Sequence, residues 1–362
     1  MKIYRKTEKD FKDYAAELME NDILAVCDVN TEPFADEILR RLSEYGKKAE
    51  KYCFADRHLL PETEKLGGLS AAATEHAYIL GIGSGVINDI CKYISFKTEK
   101  PYGILATAPS MDGYVSGVSA LYDKGRKVTW PTTVPREVLV DTNILKNAPL
   151  DMIVAGEGDL IGKYTSLLDW KLSHCLNGEK YDPEIAERMR GALALSMGSA
   201  EKLVCRDETA VGALIDGLVL SGVEMQRAGN SRPASGSEHH ISHYLEMQGE
   251  KSGKEYAPHG VKVALGCLVS SAMYRYAENF PELADVRGDI RQLPDTDRLK
   301  ELYKKIGLPV GFNEIGVSKA LLEETIKNAW TVRERYTIMT FLKDKGELGK
   351  LAPVLADMFV NP

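Results

Sequence analysis

Apolar and polar positions follow two different rhythms along the chain. The first 150 residues alternate short apolar runs with amphipathic stretches. ILAVCD at 23–28 reads as a buried strand, 32–46 as a helix ending at Gly46, and AEKYCFA at 49–55 as a second strand. HAYILGIG at 76–83 and YGILATAP at 102–109 read as a third and a fourth strand, with GVINDICKYISFK between them helical. Strands alternating with helices predict a parallel, doubly wound sheet. The first 22 residues read as a charged helix. From Val115 to Asp141 the β-rich pieces VSALY, KVTW and REVLVD are separated by DKG and PTTVP, which predicts a hairpin on the sheet edge. After Pro149 the pattern turns helical. Asp182 and Pro183 form an N-cap and N1 pair that opens a helix over 183–204. Further helices are expected at 208–228, 236–248, 259–279, 295–306, 317–329 and 331–345. The reading is an α/β domain over 1–150 followed by an all-α domain over 151–362.

Composition narrows the functional classes. At 362 residues the chain exceeds one ordinary core, which agrees with two domains. A net charge of -7 argues against a nucleic-acid surface and against attraction to anionic membranes, but leaves room for a local basic pocket. No apolar run approaches the ~20 residues that span a bilayer, and the charged N-terminus has no signal-peptide core. The six cysteines (Cys27, Cys53, Cys91, Cys175, Cys205 and Cys267) are dispersed with no C-x-x-C pair. They read as thiols of a protein in a reducing cytoplasm.

Chemistry concentrates in one window. Four of the seven histidines, His239, His240, His243 and His259, fall in SRPASGSEHHISHYLEM and YAPHG. Ser235 and Glu238 have the spacing of a capping box. On a helix starting there, His239 and His243 share a face, roughly 6 Å apart along the axis, while His240 points about 100° away. His259, between Pro258 and Gly260, is expected at a loop-to-helix junction. The pattern suits a metal or a proton-transfer site; a solvated helix with incidental histidines is the bland alternative. A catalytic metal site takes three protein ligands and keeps a position open. Asp159, in a Gly-rich turn (AGEGDLIGKY) that opens a helical stretch, is the candidate third ligand, with a helix N-cap as the other reading of it.

Weaker signals point to a nucleotide. GIGSGVIND (81–89) follows a strand and enters a helix, the arrangement that seats a pyrophosphate on a helix N-terminus. Gly81 and Gly83 fit the G-x-G-x-x-G pattern but Val86 does not, and a plain tight βα turn explains the glycines equally well. Asp28 ends the first strand, where a carboxylate can bind ribose hydroxyls or simply hold a turn. TAPSMDGYVS (107–116) puts Thr107, Ser110, Asp112 and Ser116 in a loop at the carboxyl end of a strand.

Taken together, GSGVIND, TAPSMDGYVS, AGEGDLIGKYTSLLDW and SRPASGSEHHISH resemble the sn-glycerol-1-phosphate dehydrogenase family, in particular its bacterial AraM-like branch, from about Asp28 to His259. The resemblance implies a Rossmann-like N-terminal domain with an all-α C-terminal domain, the architecture shared by iron-type alcohol dehydrogenases and dehydroquinate synthase. It implies a metal, Zn2+ or Ni2+, on Asp159, His239 and His259, and substrate contacts from Asp112, Asp159 and His243. It places the nicotinamide nucleotide, NAD(H) or NADP(H), at Gly85, Val86, Ile87, Asn88, Asp89, Thr107, Ala108, Pro109, Ser110 and Ser116, with Asp28 on the adenosine ribose. It implies reduction of dihydroxyacetone phosphate to sn-glycerol 1-phosphate by a homodimer. Asp28 favours NADH, because a carboxylate repels a 2′-phosphate. Phosphate donors are sought at Asn230, Ser231 and Arg232, then at Lys163 and Arg335. The competing readings are a polyol dehydrogenase without a phosphate pocket, a dehydroquinate-synthase-like lyase, and a catalytically silent nucleotide-binding protein.

Overall fold

The computed structural model describes residues 1–5 and 8–361, and the chain divides into two compact units, Met1–Pro149 and Leu150–Pro362. The strands of the first unit are β1 (Lys2–Arg5), β2 (Asp22–Asp28), β3 (Lys48–Phe54), β4 (Tyr78–Gly83), β5 (Tyr102–Ala106), β6 (Val118–Asp123), β7 (Arg126–Pro131) and β8 (Glu137–Val140). Its helices are α1 (Glu8–Glu17), α2 (Glu32–Glu44), α3 (Gly67–Glu75), α4 (Gly85–Thr98) and α5 (Thr142–Lys146).

Six of the strands form one sheet in the order β1-β8-β5-β4-β2-β3, parallel throughout. Its central strands β4, β5 and β8 are buried at every position, as strands covered on both faces must be. Ile23, Ala25, Leu80, Ile82 and Leu105 of the sheet meet Phe11, Tyr14, Ile38 and Leu42 from α1 and α2 in one core. The chain leaves β2 for β3 on one side and then crosses to β4 on the other. The topological switch therefore lies between β2 and β4, where open α/β sheets bind ligands at their carboxyl edge.

Two expectations for this unit need correction. The N-terminus is not one helix, because Lys2–Arg5 pairs with β8 before α1 starts. A four-residue edge strand is too short to show a period of two. The 115–141 segment does not make a hairpin on the main sheet. β6 and β7 pair with each other in a separate antiparallel sheet, while REVLVD supplies β8, inserted between β1 and β5.

The second unit is helical, with no strand among its described residues: α6 (Leu150–Ile161), α7 (Lys163–Asn177), α8 (Pro183–Met197), α9 (Glu208–Ala228), α10 (Ser237–Ser252), α11 (His259–Ala277), α12 (Arg287–Gln292), α13 (Thr296–Ile306), α14 (Lys319–Asn328), α15 (Ile338–Asp344) and α16 (Leu348–Val360). Asp182 caps α8, accepting the amides of Glu184 and Ile185. The 183–204 stretch bends into a 3-10 segment at Ala200–Cys205. α11 is apolar nearly all round and buried along most of its length, as a helix surrounded by neighbours must be; it packs on α6, α10, α13, α15 and α16.

The expected helix over 331–345 forms only over its second half. A 3-10 turn ends at Thr331, α15 starts only at Ile338, and the intervening loop carries Arg333 and Arg335. Asp169 anchors this loop exit, since its Oδ1 accepts the Ile338 amide at 2.7 Å and the Tyr274 hydroxyl at 2.6 Å. Among the described residues no helix is long and apolar enough to cross a membrane.

Candidate functional site

Asp159 lies inside α6, two residues before its end, and not in a turn. The glycines around it serve helix packing. A Cβ on Gly158 would lie 2.4 Å from the Gly260 carbonyl oxygen, and one on Gly260 only 1.8 Å from that of Ala155. α6 and α11 can touch backbone to backbone only because both positions lack side chains. That contact brings Asp159 beside His259, the first residue of α11.

α10 delivers His239. Its N-cap is Gly236 and no side chain caps it, so the expected Ser235–Glu238 capping box is absent. Glu238 instead accepts the Gly236 amide at 2.7 Å and His239 Nδ1 at 2.8 Å, while Thr165 donates to its other oxygen at 2.7 Å. The wholly buried carboxylate is fully engaged, and Ser235 is left to meet the arginine loop.

Asp159, His239 and His259 present ligand atoms all within 4.8 Å of one another. The hydrogen bonds fix their tautomers. An ionised carboxylate only accepts, so His239 donates from Nδ1 to Glu238, and His259 donates from Nδ1 to Glu246 Oε1 at 3.0 Å. Each ring keeps Nε2 as its lone-pair nitrogen, and that of His239 is 3.5 Å from Asp159 Oδ1. Carboxylate-backed imidazoles of this kind are the usual support of metal-binding histidines. Two imidazole nitrogens and one carboxylate are donors suited to zinc or nickel, so the residues fit a divalent ion.

Electrostatics agree with that fit. Burial pushes the Asp159 carboxyl up, but Lys163 and His239, and further off His259, hold it well below the usual range. Burial opposes charge on His239, and Asp159 and Glu238 outweigh it and raise its pKa. Lys163, wholly buried, donates to the Asp159 carbonyl at 2.7 Å and lies 3.2 Å from Oδ1. It is therefore committed to Asp159 and is not a phosphate donor.

His243 lies one turn beyond His239, and the rings of His239, His243 and His259 form a triangle with centroids 5.2–6.1 Å apart. Arg333 Nη2 lies 3.2 Å from His243 Nε2. A guanidinium can only donate, so Nε2 accepts and Nδ1 donates to Glu246 Oε2 at 3.1 Å. Burial, with help from His259 and Arg333, brings the His243 pKa down to about 3 despite Glu246; the ring is neutral. Glu246 thus orients two imidazoles, and with His243 and His259 it makes a second set of candidate ligands. Sequence reading missed Glu246, although it follows His239 by seven residues and His243 by three, on the same helical face.

Arg232 is corrected as well. It is buried, makes a two-pronged ion pair with Glu179 at 2.8 and 2.7 Å, and donates to the Tyr336 carbonyl at 2.9 Å. Asn230 Oδ1 accepts the Arg232 amide, and Ser231 Oγ accepts from Arg335 Nη2 at 2.8 Å. Arg335 and the unforeseen Arg333 are the cations left facing this region. Burial and neighbouring guanidiniums bring the Arg335 pKa down to about 10.

In the first unit, Asp28, Gly85 and Thr107 lie at the carboxyl ends of β2, β4 and β5, and the Thr107 amide bonds to the Gly83 carbonyl at 3.1 Å. Gly83 lets α4 start tight against its strand, since a Cβ there would lie 2.5 Å from that of Ile87. Gly85 and Val86 open α4 with no side chain capping it, and a helix N-terminus is the end that favours an anion. Several side chains have structural duties instead. Asp28 Oδ1 holds the turn into α2 by accepting the Asn30 and Thr31 amides at 2.9 Å. Asn88 bonds the Gly113 and Tyr114 carbonyls, and Asp89 Oδ2 the Ala120 amide. Buried Lys92 ties Asp89, Ser116 and Val118 together. Ala108 accepts the Tyr114 hydroxyl at 2.6 Å, which folds Pro109 and Ser110 into a closed loop. Asp112 is buried and opens the 3-10 turn Asp112–Val115.

Residues 2–149 match the family model described as iron-containing alcohol dehydrogenase. The glycerol-1-phosphate dehydrogenase [NAD(P)+] of Bacillus velezensis is 34% identical over 349 residues, covering 91% of this chain and 86% of its own. That of Bacillus subtilis is 32% identical, covering 93% and 89%. Among solved structures, a probable glycerol dehydrogenase from Sinorhizobium meliloti superposes with a TM-score of 0.72 at 20% identity, over 99% of this chain and 96% of its own; at that identity the likeness concerns the fold. With these relatives spanning nearly the whole chain, it belongs to the glycerol-1-phosphate dehydrogenase [NAD(P)+] family.

Proposed function

We propose that this chain reduces dihydroxyacetone phosphate to sn-glycerol 1-phosphate with NADH or NADPH, using a divalent ion, zinc or nickel, held by Asp159, His239 and His259. The observation that carries the reading is the convergence of that carboxylate and one ring nitrogen from each of two histidines, each imidazole backed by a glutamate, in a chain whose relatives bear this activity's name. When bound, the ion would supply Lewis-acid polarisation of the substrate carbonyl and the nicotinamide would supply the hydride.

The chain's own residues do the rest. Lys163 keeps Asp159 ionised and therefore able to ligate. Glu238 and Glu246 fix the imidazole tautomers, so no reorganisation is needed when ligand binds. His243, with its proton on Nδ1, has Nε2 as its acceptor, which Arg333 occupies here and a substrate hydroxyl would have to take over, and water delivers the proton in the reductive direction. The α4 amides around Gly85 take the pyrophosphate, and Asp28 reaches the ribose through the oxygen its turn does not use. Thr107, Ala108, Pro109, Ser110 and Ser116 shape the nicotinamide side, with Asn88 and Asp89 holding the segment that follows and Ile87 packed at the start of α4. Asp112 as a substrate contact rests on the family resemblance.

The test is a coupled assay. Purified enzyme with dihydroxyacetone phosphate should oxidise NADH and yield a product that an sn-glycerol-3-phosphate-specific dehydrogenase leaves untouched. Equal or faster oxidation with unphosphorylated dihydroxyacetone, or a product of the opposite hand, overturns the reading.

A further inference from the structure

Among the described residues, the second unit holds two half-buried cations, Arg333 and Arg335, with no acid at ion-pair distance, although Glu246 acts on Arg333 and Glu179 and Glu238 on Arg335 from further off. Arg335 donates to the Ser235 carbonyl at 3.1 Å and to Ser231 Oγ at 2.8 Å. Arg333 faces Ser235 Oγ at 3.4 Å and His243 Nε2 at 3.2 Å. All four partners are neutral. Arg232 on the same loop cluster is neutralised by Glu179, and the acid that acts on Arg333, Glu246, already serves His243, His259 and Lys262. Both guanidiniums contact Ser235, so two like charges stand close together. Bringing two like charges together out of water is unfavourable unless a counter-charge joins them.

A second observation points the same way. His240 is wholly buried, and neither ring nitrogen has a partner. One guanidinium nitrogen of Arg232 is likewise buried and unbonded. Buried polar atoms without partners are uncommon in native folds, and here they accompany two cations with no acid at ion-pair distance.

We propose that Arg333 and Arg335 form the clamp for the substrate's phosphate dianion, and so select a phosphorylated ketone over its unphosphorylated analogue. The inference rests on the dihydroxyacetone phosphate reading above and deepens it. The distances are consistent. Arg333 touches His243, whose ring lies beside His239 and His259; in the substrate only a methylene and an ester oxygen separate the carbonyl carbon from phosphorus. Ser231 and Ser235 hold the guanidiniums in place, and the planar forks suit a two-pronged grip on phosphate. The clamp sits on the loop between the 3-10 turn and α15.

Titration calorimetry of the metal-loaded enzyme with inorganic phosphate tests the clamp apart from turnover. Wild type should bind phosphate. Arg333→Ala and Arg335→Ala should each weaken binding at least about tenfold and raise KM for dihydroxyacetone phosphate by a similar factor, more than kcat falls. Arg335→Lys, which keeps the charge and loses the fork, should recover part of the loss. Melting curves identify any variant that does not fold, and Arg333→Gln or Arg335→Gln then takes its place. Folded variants with wild-type phosphate binding and KM overturn the clamp and leave the reductase reading intact. So does a wild type that reduces dihydroxyacetone phosphate yet binds no inorganic phosphate. If wild type binds phosphate through these arginines but does not reduce the substrate, the clamp stands and the functional reading falls.

Discussion

Gly260→Ala is the substitution through which packing and site should fail together. The added Cβ would stand 1.8 Å from the Ala155 carbonyl oxygen, 2.7 Å from its carbon and 3.1 Å from the Asp159 amide nitrogen. A close carbon-to-oxygen contact needs about 3.3 Å, so α11 must back away from α6 locally by roughly 1.5 Å. The obstacle is backbone on both sides, and no rotamer change relieves it. Overpacking of a core costs about 1–3 kcal/mol, and this geometry argues for the upper end. His259 directly precedes Gly260 and moves with it, away from Asp159. Metal sites tolerate ligand displacements of only about 0.2 Å, so affinity should fall by at least about tenfold, the loss seen even when a supporting group alone is removed. Urea unfolding reads the first effect and competition with a chromophoric chelator the second. Gly191→Ala on α8, where an added Cβ meets nothing, is the control and should stabilise by up to about 1 kcal/mol. A Gly260→Ala protein with wild-type unfolding midpoint and wild-type metal affinity would refute the account of how α6 and α11 assemble the site.

Other outcomes follow from single contacts. Arg232→Ala should lower stability by about 3 kcal/mol, because it strands Glu179 in a partly buried ion pair. It should cause no phosphate-selective rise in KM; such a rise would return Arg232 to the phosphate site. Arg136 grips Glu20 with two bonds at 2.7 and 2.6 Å and holds its carboxyl below the usual 4.5 against the opposing effect of burial. A depressed carboxyl stabilises the fold above its unfolded pKa and loses that contribution as pH falls. Glu20→Gln should therefore melt about 1 kcal/mol less stable than wild type at pH 7, a modest figure because the pair is partly exposed. The difference should shrink below about pH 4.5; a gap that widens in acid would contradict the assignment.

How far the sequence could be read depends on the range of the contacts involved. The buried strands show as near-continuous apolar runs because both faces of each are covered, so 23–28, 76–83 and 102–109 were legible alone. His239 and His243 were legible because four-residue spacing is a local property of a helix. Asp159 was placed in a turn because its flanking glycines suggest one, and the reason for Gly158 lies about a hundred residues away at Gly260. The same long range separates Arg333 and Arg335 from their partners, although Arg335 is already among the phosphate donors sought from the sequence. TVRERYT carries enough helix-compatible residues to extend a helical pattern, and only Ser231, Ser235 and His243 show where Arg333 and Arg335 are held. Arg232 and Lys163, drawn as phosphate donors from their charge, were already neutralised by Glu179 and Asp159, partners that no local pattern announces.

The most direct test combines metal analysis with turnover in wild type and His239→Ala. Wild type should take up one equivalent of zinc or nickel, oxidise NADH with dihydroxyacetone phosphate, and lose that activity to a chelator and regain it with added metal. His239→Ala should bind metal far more weakly and show no turnover while keeping a native circular dichroism spectrum. A folded, metal-free His239→Ala protein that still reduces dihydroxyacetone phosphate at the wild-type rate would contradict the account at its centre.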